Sequence, residues 1–121
     1  MIFKQVMVDQ ILAGDKTMTR RPVKDDLPCR YVVGNTYSVQ PGRGMKGVAR
    51  IRVLAVRRER WFEITEEDAM AEGFRDGYVS VGDREIWRGA RAQFFAYVWA
   101  LYPGLDLNAE CWVIEFELVA A

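Results

Sequence analysis

Apolar positions recur along this chain at two spacings, one helical and one alternating, and the switches between them lay out its elements. Val6, Met7, Gln10, Ile11 and Leu12 follow a short apolar strand, Met1-Ile2-Phe3, at helical intervals. Gly14 then supplies a left-handed stop, so a helix is predicted over roughly residues 4–13. Thr17-Met18-Thr19 reads as extended, and Pro22 forbids a central strand from continuing beyond Arg21. Residues 24–30 are polar, contain Pro28 and read as a loop.

Alternation dominates the middle of the chain. Gly34-Asn35 leads into a strand over residues 36–40, and Pro41-Gly42-Arg43-Gly44 turns the chain. From Gly47 to Arg58, Val48, Arg50, Arg52, Leu54 and Val56 share one parity, while Ala49, Ile51, Val53 and Ala55 share the other. The buried parity therefore switches at a bulge near Leu54, which leaves Arg50 and Arg52 together on an outer face. Thr65 with Asp68 three residues on is a capping-box pattern, and the acids of Glu66-Glu67-Asp68 suit the start of a helix that Gly73 stops.

A third helix is expected from near Asp83, where Ile86, Ala90, Phe94, Val98 and Leu101 recur at helical intervals until Pro103-Gly104. Trp87, Phe94, Phe95 and Trp99 have the spacing of a packed helix face. The last strand alternates, with Trp112, Ile114, Phe116 and Leu118 opposite Cys111, Val113, Glu115 and Glu117, and is expected to be half-buried. Interspersed helices and long antiparallel-looking strands predict an α+β fold, a curled sheet or small β-barrel with flanking helices. No internal repeat, low-complexity tract or linker divides the sequence, so residues 1–121 are expected to form one domain.

Composition narrows the chemistry. Half the residues are hydrophobic, with 4 Trp, 5 Tyr and 6 Phe, which is enough for a packed core. The amino terminus lacks the basic and long apolar regions of a secretory signal, so a cytoplasmic protein that meets no membrane is expected. There is no histidine, and Cys29 and Cys111 lack paired metal-site spacing. No metal or other cofactor is expected, and an imidazole base is excluded. Proton transfer has to use Lys, Glu, Asp, Tyr or Cys.

Charge is polarised although the net charge is +0. Residues 1–60 hold 13 cations and 5 acids, whereas residues 61–121 hold 4 cations and 12 acids. Two readings follow: a basic face attractive to phosphate, or halves that pair with one another across the fold. The densest basic run is Gly14-Asp15-Lys16-Thr17-Met18-Thr19-Arg20-Arg21. Fixed cations interleaved with hydroxyls suit a phosphate or a polar planar ligand, and the plain alternative is a solvated loop.

Residues 11–21, together with Val33-Gly34-Asn35-Thr36-Tyr37, the acidic stretch from Ile64 to Phe74 and the closing Trp112-Val113-Ile114-Glu115-Phe116, resemble the ASCH domain family. That resemblance spans nearly the whole chain. It implies a PUA-like fold, a small β-barrel with a cleft that meets RNA or a modified nucleoside. A bacterial branch, the 4-acetylcytidine amidohydrolases, uses a lysine, a threonine and a glutamate that by pattern fall on Lys16, Thr19 and Glu72. The sequence differs from that branch at Asp15, in the doubled Arg20-Arg21-Pro22, and in the loop from Gly42 to Gly47 that carries Arg43 and Lys46.

The leading expectation is therefore an RNA- or modified-nucleotide-recognising domain that uses Lys16, Thr19, Arg20 and Arg21. Arg43, Lys46, Arg50 and Arg52 would be peripheral phosphate contacts, and Trp61 would border the cleft. Trp61, Tyr78 and Trp87 are candidate stacking surfaces for a base. The alternative is a metal-independent amidohydrolase in which Lys16, lowered in pKa, is the base, Thr19 the nucleophile and Glu72 the acid. Weaker options are a ribonuclease and a protein-binding adaptor. In a straight strand Lys16 and Thr19 point to opposite faces, so their cooperation requires a turn after Gly14. Arg21 pairing with Glu72 would be a purely structural alternative.

Overall fold

The computed structural model describes residues 1–25, 27–81 and 85–120. In chain order the elements are α1 (Gln5–Ala13), β1 (Met18–Pro22), β2 (Thr36–Val39), β3 (Ala49–Arg60), a 3-10 turn (Trp61–Glu63), α2 (Glu66–Ala71), β4 (Tyr78–Val81), β5 (Glu85–Arg88), α3 (Ala90–Leu101) and β6 (Glu110–Ala120). Four strands make an antiparallel sheet in the order β1-β6-β3-β2, and β4 and β5 pair in a separate ribbon. The sheet is open, not the closed barrel that the resemblance implied. β1 is left as an edge, which is why Pro22, with no N–H to donate, is tolerated in it.

The spine is the β3–β6 pair, with Val53 opposite Phe116 and Arg58 opposite Trp112. Its register shifts between Val53 and Ala55, the bulge that the parity switch near Leu54 predicts. Arg50 is exposed and Arg52 half-buried on the outer face, while Ala49, Ile51 and Val53 are buried. The alternation of the last strand changes parity midway, with Cys111 and Val113 buried on one parity and Ile114 and Phe116 on the other, and Glu117, Leu118 and Val119 are all exposed. Val113 and Ile114 are adjacent and both fully buried, because β6 is central and covered on both faces.

Two apolar clusters do that covering. One joins α1 and Phe3 to Ile51, Val53, Ile114 and Phe116; the other joins Trp61, Ile64, Phe94, Phe95 and Val98 to Met18, Cys111 and Val113. Burying a side chain the size of Phe94 stabilises the fold by about 1.5–3 kcal/mol. Both clusters meet at Phe74 and Tyr97. No helix among the described residues is long and apolar enough to cross a membrane.

Local signals set the helix limits. Gly14 ends α1 with φ of 83°, its N–H reaching the carbonyls of Gln10 and Ile11. Thr65 caps α2 by accepting from Asp68 N–H at 3.0 Å, as the capping pattern predicts. The helix expected from near Asp83 begins instead at Ala90, and Glu85–Arg88 are a strand. Gly89 has φ of 106°, outside the helical region, so the apolar spacing through Ile86 is interrupted there. The Glu66 carboxylate then accepts from the Ala90 and Arg91 N–H groups and completes the start of α3. Asp83 itself, and the side chains of Ile86 and Trp87, lie outside the described residues.

Candidate functional site

The edge of β1 borders a cleft of about 270 Å³. Its walls are the segment leading into α1, the end of α2 and the second half of α3. Lys16, Thr19, Arg20, Arg21 and Glu72 all line it. Lys16 and Thr19 thus share one concavity with the sequence-distant Glu72. The turn after Gly14 makes this possible. N–H groups of Asp15 and Lys16 both reach the Gln10 carbonyl, at 2.9 and 3.2 Å, and the strand starts only at Met18. Lys16 therefore precedes the strand, and the opposite-face objection does not apply. Thr17 ties the same turn to α2 by donating to the Ala71 carbonyl at 2.8 Å.

Lys16 is only 3 % exposed. Its ammonium donates to the Met18 carbonyl at 2.8 Å, the Glu72 carbonyl at 2.7 Å and Glu72 Oε1 at 3.4 Å. All three of its protons are therefore committed. One bond satisfies a carbonyl on the strand edge and another a carbonyl at the end of α2, where a cation also suits the helix dipole. Burial pushes the Lys16 pKa down; Glu72 opposes that shift, and Arg21 and Arg20 add to it.

Arg20 locks the other side of Glu72. Its Nη1 donates to Glu72 Oε2 at 2.9 Å, and its Nη2 reaches Glu59 Oε1 at 2.7 Å and Asp68 Oδ2 at 3.4 Å. Burial alone would lower the Arg20 pKa, but Glu72 and Glu59 outweigh it and raise the value. Both Glu72 oxygens are thus taken, and the partner the sequence offered as a structural alternative, Arg21, is replaced by Arg20.

Arg21 stands apart. Its guanidinium lies over the Phe3 ring at 4.9 Å, and Nη2 donates to the Ile2 carbonyl at 2.9 Å. Its Nε is buried with no hydrogen-bond partner, as is the Nε of Arg20. The Thr19 hydroxyl likewise has no side-chain partner among the described residues. Rings complete the wall, including Phe3, Phe74, Tyr97 and Tyr102. Burial raises the pKa of Tyr97 and of Tyr102, so both phenols stay protonated as neutral donors. Lys4 sits over the Tyr97 ring at 5.6 Å. Sequence reasoning missed Phe3, Lys4, Tyr97 and Tyr102, because nothing separates a ring that borders a cleft from one in a core except the fold around it.

The peripheral contacts do not gather here. Arg43 and Lys46 are exposed in the turn between β2 and β3, and neither they nor Arg50 and Arg52 line the cleft. Arg50 binds the Thr36 hydroxyl at 3.0 Å, and Arg52 pairs with Glu117 at 3.3 Å. Trp61 borders the cleft as expected but is 1 % exposed and stacked on Phe94, so it offers no free face to a base. Tyr78 is exposed beside Arg88, away from the cleft, and the Trp87 side chain lies outside the described residues. Of the expected packed helix face, Phe94 and Phe95 are buried while Trp99 is exposed.

Ion pairs such as Arg20–Glu72, Arg57–Asp68 and Arg58–Glu110 join the basic half to the acidic half, so much of the charge polarity is internal. Among the described residues no group of three or more His, Cys, Asp or Glu is placed to hold a metal ion.

A family model described as ASCH domain matches residues 1–120. No curated protein matches the sequence. The fold is similar to the crystal structure of an ASCH domain from Lactobacillus crispatus JV V101, with a TM-score of 0.63 and 19 % identity over 96 % of this chain and 72 % of that one. It is also similar to protein EF3133 from Enterococcus faecalis V583, with a TM-score of 0.61 and 19 % identity over 95 % of this chain and 71 % of that one. Hypothetical protein PH0355 gives a TM-score of 0.65 at 15 % identity, over 98 % of this chain and 95 % of that one.

Proposed function

Because the chain belongs to the ASCH domain family, we propose that it recognises RNA or a modified nucleotide in the cleft beside β1. One observation carries this reading: the cleft combines aromatic walls with an arginine, Arg21, that has no carboxylate partner among the described residues and holds only a carbonyl and a ring. A base lies against the half-buried ring of Tyr97, and Arg21 and Thr19 supply donors to its polar edge or to a phosphate. Lys16, Arg20 and Glu72 hold the cleft open as a fixed frame. The setting is cytoplasmic, where such ligands are found.

Filter binding of single-stranded RNA tests the proposal. Affinity should fall as salt rises, and Arg21→Ala should weaken binding about tenfold and lower the salt slope by about one. Binding that is absent, or indifferent to both salt and Arg21, overturns it.

A second reading, amide hydrolysis of an acylated cytidine, is favoured by one feature: the lowered pKa of Lys16 in the same cleft as an unpartnered Thr19 hydroxyl. A neutral Lys16 has two N–H donors instead of three, so it would release its longest contact, that to Glu72 Oε1, and present a lone pair as base. Lys16 would take the Thr19 proton as Oγ attacks the acyl carbon and pass it to the amine as the C–N bond breaks. Water would then hydrolyse the acyl ester left on Thr19 to release the acid and restore the hydroxyl. Loss of the acetyl group from 4-acetylcytidine in the wild type but not in Thr19→Ala supports this chemistry. Equal inertness of both rejects it.

A further inference from the structure

Arg21 and Tyr102 are shared by two cavities. Beyond them, on the side away from Lys16, lies a second hollow of about 350 Å³, walled also by Lys24, Arg30, Tyr31 and Trp112. Among the described residues that line it there are three cations and no carboxylate. In the Arg20 cluster and on the outer face of the sheet, by contrast, Arg20 meets three carboxylates, Arg57 meets Glu59, Asp68 and Glu115, and Arg52 meets Glu117. Lys24 and Arg30 are exposed, with no carboxylate within ion-pairing distance among the described residues. The hollow therefore gathers unneutralised positive charge beside aromatic rings.

We propose that this hollow is a second nucleotide subsite, so that the ligand is at least two nucleotides of single-stranded RNA and not a free nucleoside. The proposal rests on the reading of the first cleft as a base-binding site. One base occupies that cleft, the connecting phosphodiester lies at Arg21, and the adjoining base lies between Tyr31 and Trp112. Each wall matches its part. Arginine forks suit phosphate oxygens, and Arg21 at the junction lines both hollows with no carboxylate partner among the described residues. Rings accept any base by stacking, which fits a position flanking the one that is read. Arg58 lies over the Trp112 ring at 5.3 Å and Arg30 over the Tyr31 ring at 5.4 Å, so cations border both rings.

Calorimetric titration separates this from a one-base site. The probes are the four nucleosides, the matching dinucleoside monophosphates, the same dinucleosides with an uncharged methylphosphonate link, and a single-stranded decanucleotide. At least one dinucleoside monophosphate should bind tenfold or more tighter than its nucleoside, and the methylphosphonate should lose most of that gain. The double variant Lys24→Ala/Arg30→Ala, altered only at exposed positions, should bring dinucleotide affinity down to that of the nucleoside.

Equal affinity of nucleoside and dinucleotide in the wild type overturns the proposal, as does a variant that weakens both alike. If the decanucleotide binds while the dinucleotide shows no gain, the second subsite fails and the first cleft stands. If no probe binds, both readings fall together.

Discussion

Arg20 and Arg21 are neighbours on one strand, yet they serve opposite ends of the cleft. At the Arg20 end, two cations and Glu72 are nearly sealed from solvent and share almost every donor and acceptor. At the Arg21 end, the guanidinium has one carbonyl, one ring and no carboxylate among the described residues, although each of the two arginines keeps a buried Nε without an acceptor. The contrast teaches that density of charged residues in a motif does not identify the ligand-binding ones. A charge neutralised by carboxylates inside the protein builds the site, and a charge left without one is available to a ligand.

The largest effect that tests this contrast is on stability. Removing Glu72 leaves Lys16 and Arg20 buried with an uncompensated charge, and breaking a buried pair in that way costs about 3–5 kcal/mol. Glu72→Leu should therefore lower the free energy of unfolding in urea by that amount, with Glu72→Gln losing less because the amide still accepts one bond. Arg21→Ala should change stability by less than about 1 kcal/mol while weakening RNA binding. Equal losses from Glu72→Leu and Arg21→Ala would erase the distinction between the two ends.

Part of this arrangement was legible in the sequence. Gly14, the Thr65 cap and the parity switch near Leu54 are local devices, and each is where the sequence puts it. Lys16, Thr19 and Glu72 could be brought together only by the family resemblance, since no spacing rule links positions 16 and 72. What stayed hidden is non-local. That Arg20, not Arg21, meets Glu72 depends on Glu59 and Asp68 arriving from β3 and α2. The open edge of β1 depends on which strands pair. The strand at Glu85–Arg88 imitates helix periodicity, and only the backbone at Gly89 breaks the imitation.

A smaller effect, set by pH, probes the same frame from behind. Cys111 is fully buried beside the Arg20 cluster, and burial pushes its thiol from 9.0 up to about 12, with Arg20 opposing. The folded state thus holds its proton where the unfolded chain releases it. Its stabilising contribution is complete below pH 9 and is lost as pH rises toward about 12, at up to about 1.4 kcal/mol per pH unit. Lys16 acts in the opposite sense: its lowered pKa means that its destabilising effect is relieved as pH rises toward 10.5. Comparing urea unfolding of the wild type and Cys111→Ala between pH 8.5 and 10.5 isolates the thiol. The wild type should lose stability more steeply, and parallel slopes would show that Cys111 does not titrate as its burial requires.

The smallest effect belongs on the outer face of the sheet, where geometry resembles that of the cleft but solvation does not. Arg52 and Glu117 approach to 3.3 Å, close to the Lys16–Glu72 distance of 3.4 Å, yet their side chains are 42 % and 50 % exposed against 3 % and 5 %. Water screens the outer pair, and ordering two long side chains offsets much of the Coulomb gain. A double-mutant cycle on Arg52→Ala and Glu117→Ala should give a coupling of about 0.2–1 kcal/mol that shrinks as salt is added. Near-equal distances with unequal couplings would show that burial, not proximity, makes the Glu72 cluster a frame. A coupling on the outer face as large as the loss from Glu72→Leu would refute that, and with it the assignment of Arg20 to structure and Arg21 to ligand.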